Sequence, residues 1–417
     1  MKDKLFTKNF TLLILGQVSS LFGNFILKFA LSMYVLEVTG SATTFASTLA
    51  FATIPTILLS PLGGILADRA NRKYIMVALD TLSGISVLLA ILFFTHNSSI
   101  IIITILLVAL SILGAFESPT VQACVPQMLI GDNIIKGNAV VNQVGAIAAL
   151  IAPILGSLFY TALGIKPVMY IAVLCFFLTA GFECFIKLNH VKPETNKHIT
   201  TIIKEDFLTS VRFICKEQPT IFKMLLLTTI ITFFAAGAAL VGLPFIVRKI
   251  LKMSAKMYGI AESLLGFSAI LGSIAAGLLI GKLKMKKLFL LIITVGIFFS
   301  LSGIVFLLPV GGFTKFTLNL ISFCGFQIAV CIFSIFALSY IQQKTPNNLM
   351  GKIMSYVVTF SMCSQPLSQM IFGVLFDKFR NSAYLVLVPT GIIIFIIGLL
   401  SINFFEKINA DEEEVSE

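Results

Sequence analysis

Ile100-Ile101-Ile102-Ile103-Thr104-Ile105-Leu106-Leu107-Val108-Ala109-Leu110-Ser111-Ile112-Leu113-Gly114-Ala115-Phe116-Glu117-Ser118-Pro119-Thr120-Val121-Gln122 is the stretch that decides the fold of this chain. Its only charge is Glu117, and its apolar residues fall on every face of a helix rather than on one stripe. At ~1.5 Å per residue it is long enough to cross the roughly 30 Å hydrocarbon layer of a bilayer. A helix apolar all round has to be buried, in a large core or in lipid.

The rest of the chain chooses lipid. Of 417 residues, 58% are hydrophobic and 12% are charged, and the mean hydropathy is +1.01. Soluble domains carry about 25% charged residues, and one core of this size could not cover so much apolar surface. No small-residue cleavage site interrupts the first apolar run, so it reads as a retained helix.

Between charge and Gly/Pro clusters there are twelve runs long enough to span, approximately 11–35, 43–66, 74–95, 100–122, 139–163, 167–188, 221–246, 258–281, 288–309, 316–341, 353–376 and 383–405. The expected fold is an all-α integral membrane protein of twelve helices. Its bundles occupy 1–188 and 221–405, joined by a cytoplasmic linker at 189–220 and followed by an acidic tail at 406–417 that carries Asp411, Glu412, Glu413 and Glu414. Thr201–Gln218 inside the linker alternates charged and apolar residues in a way that suits the membrane surface.

Basic residues set the orientation. With both termini inside, inner segments hold 21 Lys and Arg, outer loops hold 8, and Lys28 stays within a span. That asymmetry follows the positive-inside rule, although Arg248, Lys249, Lys252 and Lys256 run against it. The net charge of +11 therefore reads as membrane topology, and no single basic face points to nucleic acid. The seven cysteines and three histidines lack the spacing of a disulfide framework or a metal site. They predict no metal and no cofactor. ATP-binding, nucleophile-elbow and zinc-protease motifs are missing from the sequence, which argues against an enzyme and against ATP-driven transport within this chain.

At an offset of 213 the sequence matches itself. Ser41-Ala42 meets Ser254-Ala255, Gly64 meets Gly277, Leu66 meets Leu279, Lys73 meets Lys286, and Pro153 meets Pro366. Two pseudo-symmetric six-helix bundles are the expected result.

The segment after the second run reads Gly63-Gly64-Ile65-Leu66-Ala67-Asp68-Arg69-Ala70-Asn71-Arg72-Lys73. Charge bias explains its basic residues but not its glycine pair or its aspartate. It resembles the G-x-L-A-D-R-x-G-R-K signature of the major facilitator superfamily. The resemblance implies the major facilitator fold, with Gly64, Asp68, Arg69, Arg72 and Lys73 acting as a conformational latch. Asn71 stands where that signature has a second glycine, and asparagine also tolerates a left-handed turn. Within the superfamily the chain looks most like the macrolide-efflux and siderophore-exporter branch. Leu36-Glu37-Val38-Thr39-Gly40-Ser41-Ala42, Pro55, Phe116-Glu117-Ser118-Pro119 and Ile341-Gln342-Gln343-Lys344-Thr345-Pro346 carry that likeness. It departs from the drug–proton antiporters in having no basic residue in its fourth run. It also has Gly23-Asn24 where many relatives have an acid, and it keeps only Pro153 and Gly156 of a glycine-rich helix-packing run.

Charged residues inside spans are candidates for function. Asp80 and Glu117 are expected at similar depth and are the proton-coupling candidates, since a carboxyl held out of water can carry a proton. A structural anchoring role would explain either acid as well. Lys28, Asn24, Asn142, Gln143, Gln327 and Gln365 are candidates for lining a substrate cavity, and so is Gln17, although helix–helix hydrogen bonds would account for the amides. Glu183 and Glu262 read as interfacial because they lie near span ends. The 39 phenylalanines hint at aromatic walls for an amphipathic substrate.

From the resemblance, the expected activity is proton-driven efflux of amphipathic drugs such as macrolides by a monomer in the inner membrane of a bacterium. Export of a siderophore or peptide natural product, lysophospholipid flipping, and a non-transporting sensor or scaffold are the alternatives.

Overall fold

The computed structural model describes residues 5–94, 99–188, 218–280, 282–346 and 349–408. Linker residues 189–217 and tail residues 409–417 lie outside the described structure.

Twelve long helices run through the described residues. They are α1 Lys8–Thr39, α2 Ala42–Arg69, α3 Arg72–Phe93, α4 Ser99–Met128, α5 Asp132–Leu163, α6 Ile165–Cys184, α7 Pro219–Ile250, α8 Ala255–Leu279, α9 Phe289–Ile304, α10 Gly312–Lys344, α11 Met350–Lys378 and α12 Tyr384–Leu400. Helix is what lipid demands, because a backbone in hydrocarbon must bond to itself. Eleven are long and apolar enough to cross a membrane. The exception is α11, whose middle carries Ser361, Ser364, Gln365, Ser368 and Gln369. On α4, Ile101 and Ile105 point outward while Ile103, Leu106, Leu107 and Leu110 are buried, the arrangement of a helix with lipid on one side.

Helices outrun the apolar stretches because polar residues cap them. Thr7 starts α1 by accepting from Phe10 N at 3.3 Å, and Gly40, in the left-handed region at φ 62, ends it. α7 reaches Ile250 through two wide π-helical segments, Gly237–Gly242 and Ile246–Ile250. Pro244 lies between them and supplies no N–H for an ordinary turn.

Contacts divide the chain into two units: Met1–Thr195 with Ser254–Ser263, and Asn196–Met253 with Leu264–Glu417. In the first unit α1 packs on α5 and α6, α2 on α4, and α3 on α4 and α6. Gly16 and Gly23 let α6 come close to α1, since a Cβ on either would press on Thr179 or Cys175. Thr179 Oγ1 donates to Gly16 O at 3.1 Å, and Ser19 Oγ donates to Cys175 O at 3.0 Å. Asn9 ties the start of α1 to the residues after α6, donating to Lys187 O at 2.8 Å and accepting from Lys187 N at 3.3 Å. Pro153 and Gly156 are both buried, and Gly156 packs on the Phe29 ring. The first turns of α8 join the same unit. Tyr258 stacks on Phe29 with ring centroids 5.3 Å apart, and Ser263 Oγ donates to Leu150 O at 2.8 Å.

In the second unit α9 packs on α12 and α10, and α7 packs on α11. Phe299 and Phe326 pack with ring centroids 4.7 Å apart and planes tilted by 33° between α9 and α10, and Ser368 Oγ of α11 donates to Phe233 O of α7.

The repeat appears in local detail. Ser41 caps α2 by accepting from Thr44 N at 3.1 Å, and Ser254, 213 positions on, accepts from Met257 N at 3.4 Å before α8. Gly64 and Gly277 share an open environment, with nothing within 4 Å of a built Cβ.

Candidate functional site

The site grows from one face of α1. Gln17, Asn24 and Lys28 are spaced at i, i+7 and i+11 and Ser20 lies close beside them, so a helix that is otherwise apolar carries a polar stripe. The Ser20 hydroxyl reaches two acids on two other helices, Asp80 Oδ1 of α3 at 3.0 Å and Glu117 Oε1 of α4 at 3.3 Å. The structure thus brings Asp80 and Glu117 to one point. Gln17 faces Glu117 one turn away, with its amide Nε2 short of a hydrogen bond to any acceptor. Lys28 is partly buried, and Glu117 is the acid whose charge it feels.

A third carboxyl completes the cluster. Glu183 of α6 is 0% exposed, as is Asp80, and the two side chains are within hydrogen-bonding reach of each other. Neither Asp80 Oδ2 nor either Glu183 oxygen receives a hydrogen bond from any donor. This corrects the interfacial reading of Glu183. The end of α6 is covered, because α1 begins as far back as Lys8 and Ile186 is buried with Phe10 and Leu13. The sequence signal that could have found Glu183 is the Gly16/Gly23 spacing on α1, which admits a close neighbour helix.

Chemically the cluster suits one task. Ser20 has one hydrogen and faces two carboxyls. Three more carboxyl oxygens, Asp80 Oδ2 and both of Glu183, are buried with no other donor. Anionic carboxylates cannot sit side by side out of water, so the arrangement is complete only when it contains protons. Among the described residues, no three or more His, Cys, Asp and Glu side chains are placed to hold a metal ion.

The segment between α2 and α3 acts through the backbone. Arg72 donates from Nε to Ala67 O at 2.7 Å and from Nη1 to Ala123 O at 3.0 Å, tying the end of α2 to α4. Asn71 is extended (φ −69, ψ 109) and caps α3 by accepting from Lys73 N at 3.1 Å. It does not use the left-handed conformation that asparagine tolerates. The close approach comes from Gly63, where a Cβ would strike the Ala115 carbonyl, and not from Gly64. Pro119 removes the N–H that would normally bond Ala115 O, so this seam lies beside Glu117. The side chains of Asp68 and Arg69 lie outside the described part of the structure.

The remaining candidates are dispersed. Asn24 is partly buried, and its Oδ1 lacks a partner. Asn142 and Gln143 are exposed on α5, and Gln327 and Gln365 are partly buried on α10 and α11. The second unit has a cavity of about 260 Å³ lined by Thr228, Thr232, Ser334, Leu338, Val357 and Ser361, none of which the sequence reading singled out. Glu262, also read as interfacial, is partly buried next to Tyr258.

Long apolar helices fit a multi-pass membrane protein, and the family model and the relatives that the chain resembles are membrane transporters rather than enzymes. The chain belongs to the Major Facilitator Superfamily, whose family model matches residues 13–368. It is 23% identical over 401 residues to macrolide efflux protein A of Streptococcus pyogenes, an alignment covering 94% of this chain and 96% of that protein. It is also 23% identical to the uncharacterized MFS-type transporter YvqJ of Bacillus subtilis, over 97% of this chain and 94% of the relative. Among solved structures, the peptide transporter POT in complex with alafosfalin matches with a TM-score of 0.74 at 13% identity, covering 97% of this chain and 95% of that one. A D-xylose–proton symporter matches with a TM-score of 0.71 at 15% identity, covering 95% and 97%.

Proposed function

We propose that the chain is a proton-coupled exporter of amphipathic compounds of the macrolide type, with both termini on the cytoplasmic side of a bacterial inner membrane. The observation that carries the reading is the cluster of Asp80, Glu117 and Glu183, the first two joined by Ser20, a set of groups that is electrostatically costly in lipid unless it holds protons. Likeness to macrolide efflux protein A along nearly the whole chain supports the substrate class. In this reading 1–188 and 221–405 work as the two bundles of a monomer joined by 189–220, and access alternates between the two faces of the membrane. A proton taken up at Glu117 or Asp80 favours one conformation, and its release favours the other. The hydroxyls of Thr228, Thr232, Ser334 and Ser361 offer polar anchors in an otherwise apolar cavity. Asp68, Arg69, Arg72 and Lys73 latch the resting conformation.

A second reading, export of an anionic compound such as a siderophore, is favoured by Lys28, a cation on the same polar stripe as the acids. Competition between the two compound classes for export separates these readings.

The test is accumulation of a labelled macrolide in inverted membrane vesicles, with and without an imposed proton gradient, for the wild type and Glu117→Gln. The expected result is gradient-driven accumulation that is lost in the variant. Flux that ignores the gradient in the wild type would remove proton coupling.

A further inference from the structure

We propose that Asp80 and Glu183 form a buried proton-binding pair at the end of a relay, in which the Ser20 hydroxyl carries one proton at a time between Glu117 and Asp80. The inference deepens the proton-coupled reading above and rests on it for its role in transport. The proton site itself rests on the Ser20 hydrogen bonds and on the complete burial of Asp80 and Glu183.

The geometry supplies each link. Ser20 Oγ is 3.0 Å from Asp80 Oδ1 and 3.3 Å from Glu117 Oε1, so one hydroxyl lies between two acids on different helices. Asp80 Oδ2 and both Glu183 oxygens receive no hydrogen bond from any other group, and the two side chains are within reach of each other. One proton between Glu183 and Asp80 Oδ2 satisfies a buried pair that would otherwise be two adjacent anions. The groups facing this pair are Ser20 on α1, Glu117 and Cys124 on α4, and Cys184 beside Glu183 on α6, while Gln17 on α1 faces Glu117. Lys28 lies on the Glu117 side, and Arg72 lies near Cys124 and donates to Ala67 O and Ala123 O.

The transfer balances. Protonated Glu117 breaks its Oε1–H bond as Ser20 Oγ accepts that proton. Ser20 releases its original hydrogen to Asp80 Oδ1, where a new O–H bond forms. Ser20 ends unchanged, Asp80 is neutral, and the negative charge remains on Glu117, facing Lys28. Throughout, Glu183 keeps its own proton and donates it as a hydrogen bond to Asp80 Oδ2, so Asp80 alternates between a carboxylate and a neutral acid. Glu183 is therefore a positioning residue. Its proton keeps Asp80 from standing beside a second anion and fixes which oxygen of Asp80 faces Ser20.

Infrared difference spectra across a pH step, on the purified full-length protein, read the carboxylic acid carbonyl bands directly. The set is wild type, Ser20→Ala, Ser20→Thr and Glu183→Gln, each also assayed for gradient-driven macrolide accumulation in proteoliposomes. In the wild type, carboxylic acid bands that titrate together are expected. Glu183→Gln should remove one band and shift the pH midpoint of another. Ser20→Ala should make the bands titrate independently and slow gradient-driven export at least roughly tenfold, while Ser20→Thr restores both. Spectra unchanged by Glu183→Gln, or coupled titration that survives Ser20→Ala, would overturn the relay. Should Ser20→Ala fail to fold, Glu183→Gln, which keeps shape and loses one proton site, decides alone. If the wild-type bands behave as expected while export ignores the gradient, the proton site is upheld and the proton-coupled exporter reading fails.

Discussion

Gly63 and Gly64 are neighbours in the same turn of α2, yet the structure predicts opposite outcomes for Gly63→Ala and Gly64→Ala. A Cβ on Gly63 would strike the Ala115 carbonyl oxygen and come within 3.1 Å of Phe116 Cα, both backbone atoms that cannot rotate away. Overpacking of this kind costs about 1–3 kcal/mol. A Cβ on Gly64 meets nothing within 4 Å. Alanine there gains the roughly 0.5–1 kcal/mol by which it exceeds glycine in a helix interior. The same gain partly offsets the clash at Gly63, so the two variants should differ by the overpacking alone, about 1–3 kcal/mol. A thiol-reactive dye can follow thermal unfolding in detergent, since the chain has no tryptophan and Cys124 is buried until the first unit opens. At roughly 2–4 °C per kcal/mol the difference is several degrees. Displacing α4 also moves Glu117, so Gly63→Ala should lose export that Gly64→Ala keeps. Equal melting of the two variants would refute the claim that α2 and α4 meet at Gly63.

Other outcomes follow from single contacts. Asn71→Ala should lower stability by about 1 kcal/mol through loss of the α3 cap, while Asn71→Ser is nearly neutral and Asn71→Gly loses only a few tenths. A melting series that ranks Gly above Ser would mean that backbone freedom, not capping, matters at this position. Arg72→Lys cannot serve both Ala67 O and Ala123 O, so it should be destabilised by about 1.5–3 kcal/mol, the scale of one charged hydrogen bond; an unchanged dye-monitored melt would contradict that. Ser334→Leu fills part of the 260 Å³ cavity. It should raise the half-maximal concentration of exported compound severalfold while leaving the melting temperature near wild type, and unchanged export kinetics would remove the cavity from the substrate path.

The helix count and the repeat could be read in the sequence because lipid makes both patterns coarse. A spanning helix has to be apolar for about 20 residues, and caps such as Ser41 and Ser254 recur at a fixed offset. Half of the site was legible on the same grounds, since Asp80 and Glu117 are acids inside spans. Glu183 was not, because its position near a helix end gives no hint that α1 and the chain at Lys187 cover it. Ser20 was missed for a different reason. A serine in an apolar helix usually bonds its own backbone, as Ser268 does to Leu264 O, and only the meeting of three helices turns this one toward two acids. Gly63 and Gly64 look alike in sequence, and the approach of Ala115 alone separates them.

Coupling of substrate movement to proton movement is the central claim, and one measurement addresses it most directly. Wild-type protein in proteoliposomes containing a pH-sensitive dye is given a macrolide gradient with no pH gradient imposed. The account predicts a pH change of opposite direction to the macrolide flux, absent in Glu117→Gln and in empty liposomes. Macrolide flux through the wild type with no accompanying pH change would contradict it.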